Sequence, residues 1–75
     1  MIIKKHTIIE EYATQGVRLF VTFYYPTTNV TVYAYDDSGK EIFSGGYNSR
    51  TGAMIGIGRR FGRVQFVRMS NKEGG

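Results

Sequence analysis

The sequence contains no cysteine, which excludes disulfide bridges and thiolate metal sites. It contains a single histidine, His6, so one chain cannot form a histidine-rich metal site. A domain of 75 residues buries only about 60% of its unfolded surface, and small domains usually depend on a disulfide, a metal or a second subunit. Because the first two supports are excluded, we expect a homo-oligomer, with a homodimer as its simplest form, and no metal or other cofactor.

Long apolar runs are also missing, and none approaches the about 20 residues that a membrane-spanning helix needs. Ile2 and Ile3 are followed at once by Lys4 and Lys5, so the apolar core of a signal peptide is not visible. We therefore expect one domain over residues 1–75, no membrane partner and a cytoplasmic location. The small size is typical of open reading frames in microbes, viruses and mobile elements, and suggests a phage or mobile-element protein.

The one proline, Pro26, follows the clearest strand of the sequence. Residues 17–25 alternate at a period of two, with Leu19, Val21 and Phe23 on one side. Proline cannot donate a hydrogen bond to a sheet, so the strand is expected to end before it.

Residues 2–13 fit two structures, because their apolar residues recur at both helical and strand spacing. Four isoleucines and one threonine lie within the first nine residues, and β-branched side chains favour a strand. A strand that ends before Gly16 is therefore the preferred interpretation, with a helix as the alternative.

Residues 29–36 alternate in the same way and predict another strand. The acidic turn over residues 36–40 contains a glycine at the left-handed position of a bulged hairpin. Residues 40–44 then predict the returning strand, which the glycine pair at 45–46 is expected to end.

Residues 49–61 predict the helix of the fold, with apolar residues at helical spacing. Asn48 or Ser49 can supply the N-cap oxygen, and Gly62 stands where a helix-ending glycine is expected. Three internal glycines weaken the pattern and leave a glycine-rich strand or loop as the alternative. The predicted fold class is α+β: a small, mainly antiparallel sheet of four to five strands with one helix near residues 49–61.

Residues 63–69 predict the last strand, with Phe66 and Arg68 on one side and Met69 on the other. Residues 70–75 are polar and end in glycine, so this tail is expected to fray.

Side chains suited to catalysis are few, and each has a structural explanation. His6 is the one candidate base for a nucleophile, and it lies in a lysine-flanked terminal segment. Glu10 and Glu11 are neighbours on a strand and should point to opposite faces. Asp36 and Asp37 belong to the hairpin turn, where aspartate binds backbone N–H groups. The sequence therefore predicts a protein that is not an enzyme.

Aromatic residues are abundant, with six tyrosines and five phenylalanines. If the aliphatic rows of two strands face the helix, the opposite sheet face carries one arginine and four aromatic residues: Arg18, Phe20, Tyr24, Tyr33 and Tyr35. Such a face can stack unpaired bases. Tyrosine also favours strands, and aromatic patches bind proteins, so packing and protein binding stay open as alternatives.

Positive charge is concentrated near the end of the chain. Residues 50–75 carry six of the ten Lys and Arg residues but one of the six acids, and five of the six cations are arginine. Arginine presents a planar set of donors that suits phosphate and carboxylate groups. The candidate anion-binding residues of this segment are Arg50, Arg59, Arg60, Arg63 and Arg68. Solvated charge that keeps the protein soluble is the plain alternative.

The leading hypothesis is a non-catalytic nucleic-acid-binding protein that favours single strands, with arginines on phosphates and tyrosines on bases. The alternative is a small inhibitor or adaptor, of the kind that phages and mobile elements encode, which docks on an acidic surface of a host protein. The order of a hairpin and a basic helix is loosely similar to the DNA-binding modules of some integrases, but no motif matches residue by residue and no family is assigned.

Overall fold

The computed structural model describes the backbone of residues 5–73 and the side chains of residues 5–72. Five strands and one helix follow one another along the chain: His6–Thr14 (β1), Val17–Tyr25 (β2), Val30–Tyr35 (β3), Glu41–Tyr47 (β4), Arg50–Phe61 (α1) and Gln65–Glu73 (β5). Within this part of the chain, no helix has the length and apolarity needed to cross a membrane.

The strands form one antiparallel sheet in the order β4-β3-β2-β1-β5. The first four strands are joined by turns and loops and each pairs with the next, so they form a meander. α1 follows the edge strand β4 and leads to β5 at the other edge, which requires it to cross one face of the sheet. The predicted α+β fold with one helix is confirmed.

β1 resolves the ambiguity at the start of the chain in favour of a strand. It pairs with β2 along its whole length, from His6 opposite Tyr25 to Thr14 opposite Val17. The helical alternative is therefore wrong for residues 6–13, while residues 2–4 lie outside the described part.

The core lies between α1 and the sheet face that α1 crosses. Alternate residues of β1, β2 and β3 point to this face because successive side chains of a strand point to opposite sides. The buried apolar residues are Tyr12, Leu19, Val21, Phe23, Val30, Val32, Ala34, Ala53 and Ile57. The prediction that the aliphatic rows of β2 and β3 face the helix is confirmed.

The turn between β3 and β4 depends on the Asp36 carboxylate. Its Oδ1 accepts hydrogen bonds from the backbone N–H groups of Ser38 (2.9 Å) and Lys40 (3.0 Å), and from the Ser38 hydroxyl (2.6 Å). The hydroxyl contact is the largest cause that lowers the pKa of Asp36 below its ordinary value. Gly39 has a φ of 86°, the left-handed conformation predicted for it. These contacts give Asp36 a structural role in the turn.

β4 runs past the glycines that were expected to end it, so that prediction is wrong. Gly45 lies opposite Val32 and Gly46 opposite Thr31, in register with the rest of the ladder. A Cβ at Gly45 would lie 3.2 Å from the Tyr47 ring and 3.3 Å from the Phe43 ring. Glycine therefore leaves room here for two aromatic side chains to lie over the strand.

α1 has the ends that the sequence predicts. Ser49 is the N-cap, and its Oγ accepts a hydrogen bond from the Gly52 N–H at 3.1 Å. Gly62 follows the last turn with a φ of 76° and donates its N–H to the Gly58 carbonyl. The glycine-rich strand or loop offered as the alternative is wrong for this segment.

Two glycines inside α1 should respond in opposite ways to alanine. A Cβ at Gly56 would come within 2.8 Å of the Tyr47 Cζ, whereas a Cβ at Gly58 has no neighbour within 4 Å. We expect Gly58→Ala to stabilise the protein by about 0.5–1 kcal/mol through helix propensity. Gly56→Ala should destabilise it by about 1 kcal/mol, because overpacking costs about 1–3 kcal/mol and exceeds the gain in propensity. Urea unfolding of both variants measures the difference, and equal effects would contradict the close approach of α1 to Tyr47.

β5 departs from the sequence prediction in two ways: it is longer, and different side chains share a face of the sheet. It extends from Gln65 to Glu73 along β1, so the expectation that the chain frays from Ser70 is wrong for residues 70–73, and residues 74–75 lie outside the described part. Its register with β1 shifts beside Glu11, where Val67 is the extra residue of a bulge.

The bulge changes which side chains share a face. Phe66 lies opposite Tyr12 and Met69 opposite Glu10, on the side of α1, while Arg68 lies opposite Glu11 on the other side. The predicted pairing of Phe66 with Arg68 on one side of the strand is therefore wrong.

Candidate nucleic-acid interface

The sheet face opposite α1, here called the open face, carries the predicted aromatic set. Arg18 lies directly opposite Tyr35, and Phe20 directly opposite Tyr33, on neighbouring strands. Tyr24 lies on the same side of β2, four residues beyond Phe20. The prediction that these five residues share one face is confirmed.

The rings on the open face are in contact with one another and with an arginine. Phe20 and Tyr35 meet edge to face, with ring centroids 5.8 Å apart. The Arg18 Cζ lies 5.4 Å from the centroid of the Phe20 ring, a distance typical of a cation–π contact. Tyr33 and Tyr35 are half-buried and Tyr24 is exposed. In the described part of the chain, the helix lies on the opposite side of the sheet, so ring surface stays accessible on the open face.

Glu11 organises the arginines of the open face. Its carboxylate forms ion pairs with Arg18 (Nε to Oε2, 3.3 Å) and with Arg68 (Nε to Oε1, 3.3 Å). The Glu11 side chain is 10% exposed, whereas those of Arg18 and Arg68 are 62% and 71% exposed. The two guanidinium groups share one buried carboxylate, so the cluster has a net charge of one positive unit and most of its donors face solvent.

The Glu11 role was not predicted from the sequence. The sequence indicated that Glu10 and Glu11 point to opposite faces, which the structure confirms, but it did not show what either one contacts. The bulge at Val67 turns Arg68 toward Glu11, and a bulge of this kind has no clear sequence signal.

Arg50 lies on the other side of the sheet and has structural partners. Its Nη1 is 2.9 Å from the Glu10 Oε2, and its Cζ lies 5.3 Å from the centroid of the Phe23 ring. The Tyr12 hydroxyl donates a hydrogen bond to the Glu10 Oε1 at 2.8 Å. Burial is the largest cause that raises the pKa of Tyr12, and the hydrogen bond to Glu10 is the largest that raises the pKa of Arg50. This group connects the first turn of α1 to β1, away from the open face.

Arg59, Arg60 and Arg63 form a separate basic cluster, here called the helix-end cluster. Arg59 and Arg60 occupy the last turn of α1, where cations interact favourably with the helix dipole. The Arg60 Cζ lies 5.5 Å from the centroid of the Phe43 ring. Among the described side chains, the arginines that form ion pairs with carboxylates are Arg18, Arg50 and Arg68, so no described carboxylate pairs with the helix-end cluster.

The ten residues predicted to bind an anionic partner thus divide into three groups. The open face holds Arg18, Phe20, Tyr24, Tyr33, Tyr35 and Arg68. The helix-end cluster holds Arg59, Arg60 and Arg63, and Arg50 belongs to the contact between α1 and β1. The open face is the larger group, and it combines stacking surface with oriented cations.

Other features of the described residues offer less for chemistry. No group of three or more His, Asp or Glu side chains among them is placed to hold a metal ion. The His6 ring stacks on Tyr25 with centroids 4.6 Å apart. A surface pocket of about 190 Å³ lies between β2, the loop after it and the start of α1, below the about 300 Å³ from which small-molecule sites usually begin.

No protein-family model, curated protein or solved structure matches this chain.

Proposed function

We propose that the protein is a non-catalytic nucleic-acid-binding protein whose open face binds a single strand. The observation that supports this most directly is the placement of Phe20, Tyr24, Tyr33 and Tyr35 with Arg18 and Arg68 on one sheet face, with α1 on the other. This combination provides both parts of single-strand recognition, which are rings for the bases and guanidinium groups for the phosphates.

The aromatic rings would supply the part of the affinity that does not depend on salt. Stacking of a base on an aromatic side chain is worth about 1–3 kcal/mol and tolerates any base, because every base has a π face. Tyr24 offers the most accessible ring of the set, and the contact between Phe20 and Tyr35 holds two further rings in place. We therefore expect little sequence preference.

Arg18 and Arg68 would supply the phosphate contacts. The shared Glu11 carboxylate holds both guanidinium groups beside the rings, and their remaining donors point to solvent. Arginine binds phosphate oxygens through paired N–H groups, so each of the two side chains would hold one backbone phosphate. The helix-end cluster adds positive potential at longer range, which attracts an anionic strand before contact.

The main competing proposal is a small inhibitor or adaptor that docks on an acidic protein surface. The same open face supports it, because tyrosine and arginine are the residues most enriched in protein-binding hot spots. The Glu11 carboxylate also halves the charge of the arginine pair, so the face is less basic than its arginine count suggests. For both proposals we infer a cytoplasmic protein, of the kind that a phage or mobile element would supply.

Fluorescence anisotropy with labelled oligonucleotides distinguishes the two proposals. A single strand of about 15 nucleotides should bind more tightly than a duplex of the same length, with similar affinity for unrelated sequences. Between about 50 and about 200 mM salt, the affinity for the single strand should fall with a slope of roughly −0.7 per phosphate contacted. Absence of binding to either oligonucleotide at the lower salt concentration would overturn nucleic-acid binding and favour a protein partner.

A further inference from the structure

Within the described residues, β5 is an edge strand whose outer side pairs with no other strand. It pairs with β1, and β4 forms the opposite edge of the sheet. It is nine residues long, and an edge strand of this length presents a row of backbone donors and acceptors that can pair with another strand.

β5 also exposes more apolar surface than the neighbouring strand β1. Phe66, Val67 and Met69 are 57%, 43% and 58% exposed. The backbone of α1 lies near β3 and β4, and the exposure of Phe66 and Met69 on the same side of the sheet shows that α1 does not cover them. The other edge differs, because Phe43 and Tyr47 of β4 pack against the core beneath α1.

The bulge makes β5 complementary to a second copy of itself. Because Val67 and Arg68 both lie beside Glu11, Phe66 and Met69 point to the same side although they are three residues apart. A two-fold axis between Val67 and Arg68 places Phe66 of one copy opposite Met69 of the other in an antiparallel pair. In this register residues 65–70 of one copy pair with the same six residues of the other, which sets two apolar contacts across the axis and places no like charges directly opposite each other within the paired segment.

We propose that the protein forms a symmetric homodimer through antiparallel pairing of β5 with β5 of a second copy. The two sheets become one continuous sheet, with both helices on one side and both open faces on the other. The Glu11 clusters of the two copies then lie on either side of the axis, because Arg68 is adjacent to it. Dimerisation itself rests on β5 alone and does not depend on the proposed nucleic-acid binding.

Light scattering over a range of protein concentrations tests the dimer. The wild-type protein should show twice the chain mass of 8.5 kDa. Val67→Lys/Met69→Lys should raise the dissociation constant at least about tenfold, because it places four added charges beside the axis. The matched control is Ile42→Lys/Ile55→Lys, which adds the same charge to exposed isoleucines of β4 and α1 and should leave the dimer intact.

Cross-linking provides a second measurement that does not depend on how the lysine variant folds. The chain has no cysteine, so Val67→Cys introduces a single thiol beside the proposed axis. Mild oxidation should give a disulfide-linked dimer for Val67→Cys and little for Ile55→Cys, whose side chain is similarly exposed on α1. A monomer at every concentration, an unaffected dimer in Val67→Lys/Met69→Lys, or equal cross-linking of the two cysteine variants would overturn the proposal.

Discussion

Replacing Arg18 and Arg68 with glutamine is expected to weaken the binding of a single-stranded oligonucleotide about a hundredfold. Each guanidinium is proposed to contact a phosphate, and a charge-assisted hydrogen bond contributes roughly 1.5 kcal/mol at the lower end of its range, which is about tenfold in affinity. Loss of two phosphate contacts should also reduce the salt slope by about 1.4. Anisotropy measures both quantities, and thermal unfolding checks that Glu11 without its partners has not unfolded the sheet.

The control variant is Arg59→Gln/Arg60→Gln, which lowers the net charge by the same amount. Both residues lie on α1, on the other side of the sheet from the open face. At about 0.15 M salt, charges more than about 8 Å from the strand are largely screened, so this variant should lose less than about threefold. Equal losses in the two variants would mean that total charge governs the affinity, and the open face would then not be the binding site.

Leu19→Ala is expected to have the largest effect on stability. Leu19 is fully buried between the sheet and α1, and truncation of a buried leucine costs about 2–5 kcal/mol. The whole unfolding free energy of a domain of this size is about 4–11 kcal/mol, so this one change removes a large share of it. Leu19 also stands between Arg18 and Phe20 on β2, so its loss should disturb the open face as well.

Urea unfolding measures this effect, with Ile55→Ala as the control. Ile55 is 51% exposed on α1, and alanine is the better helix former, so the control should change the free energy of unfolding by less than about 1 kcal/mol. If Leu19→Ala were as stable as Ile55→Ala, the core would not lie between β2 and α1.

Much of this fold was predictable from local patterns. The alternation in residues 17–25 correctly placed Leu19 on the core side and Phe20 on the open face, because the two-residue period of a strand is a geometric rule. Ser49 and Gly62 marked the helix ends for a similar reason, since the free backbone groups of a helix end need specific partners.

Features that depend on distant contacts were not predictable. The glycines at 45–46 signalled a strand end by their own preferences, but at Gly45 the rings of Phe43 and Tyr47 occupy the space that a side chain would need. The position of β5 beside β1 and the bulge at Val67 arise from pairing between the two ends of the chain. One extra residue in that pairing moved Arg68 to the open face.

The sequence indicated which residues could form the candidate site, but it did not show how they are arranged on the surface. Aromatic and arginine counts indicated residue types that suit an anionic partner, yet the ten predicted positions fell into three groups with different neighbours. Arg50 shows the limit most clearly, because its closest partner, Glu10, is 40 residues away in the sequence. Charge clustering along the chain did not reveal which arginines are already paired.

The measurement that tests the role of the open face most directly is NMR mapping with a short single-stranded oligonucleotide. Backbone and ring signals should shift most for Arg18, Phe20, Tyr24, Tyr33 and Tyr35, and signals from the exposed side of α1 should change little. Shifts centred on Arg59, Arg60 and Arg63, with the tyrosine rings unaffected, would show that the strand binds at the helix-end cluster and would contradict the proposed interface.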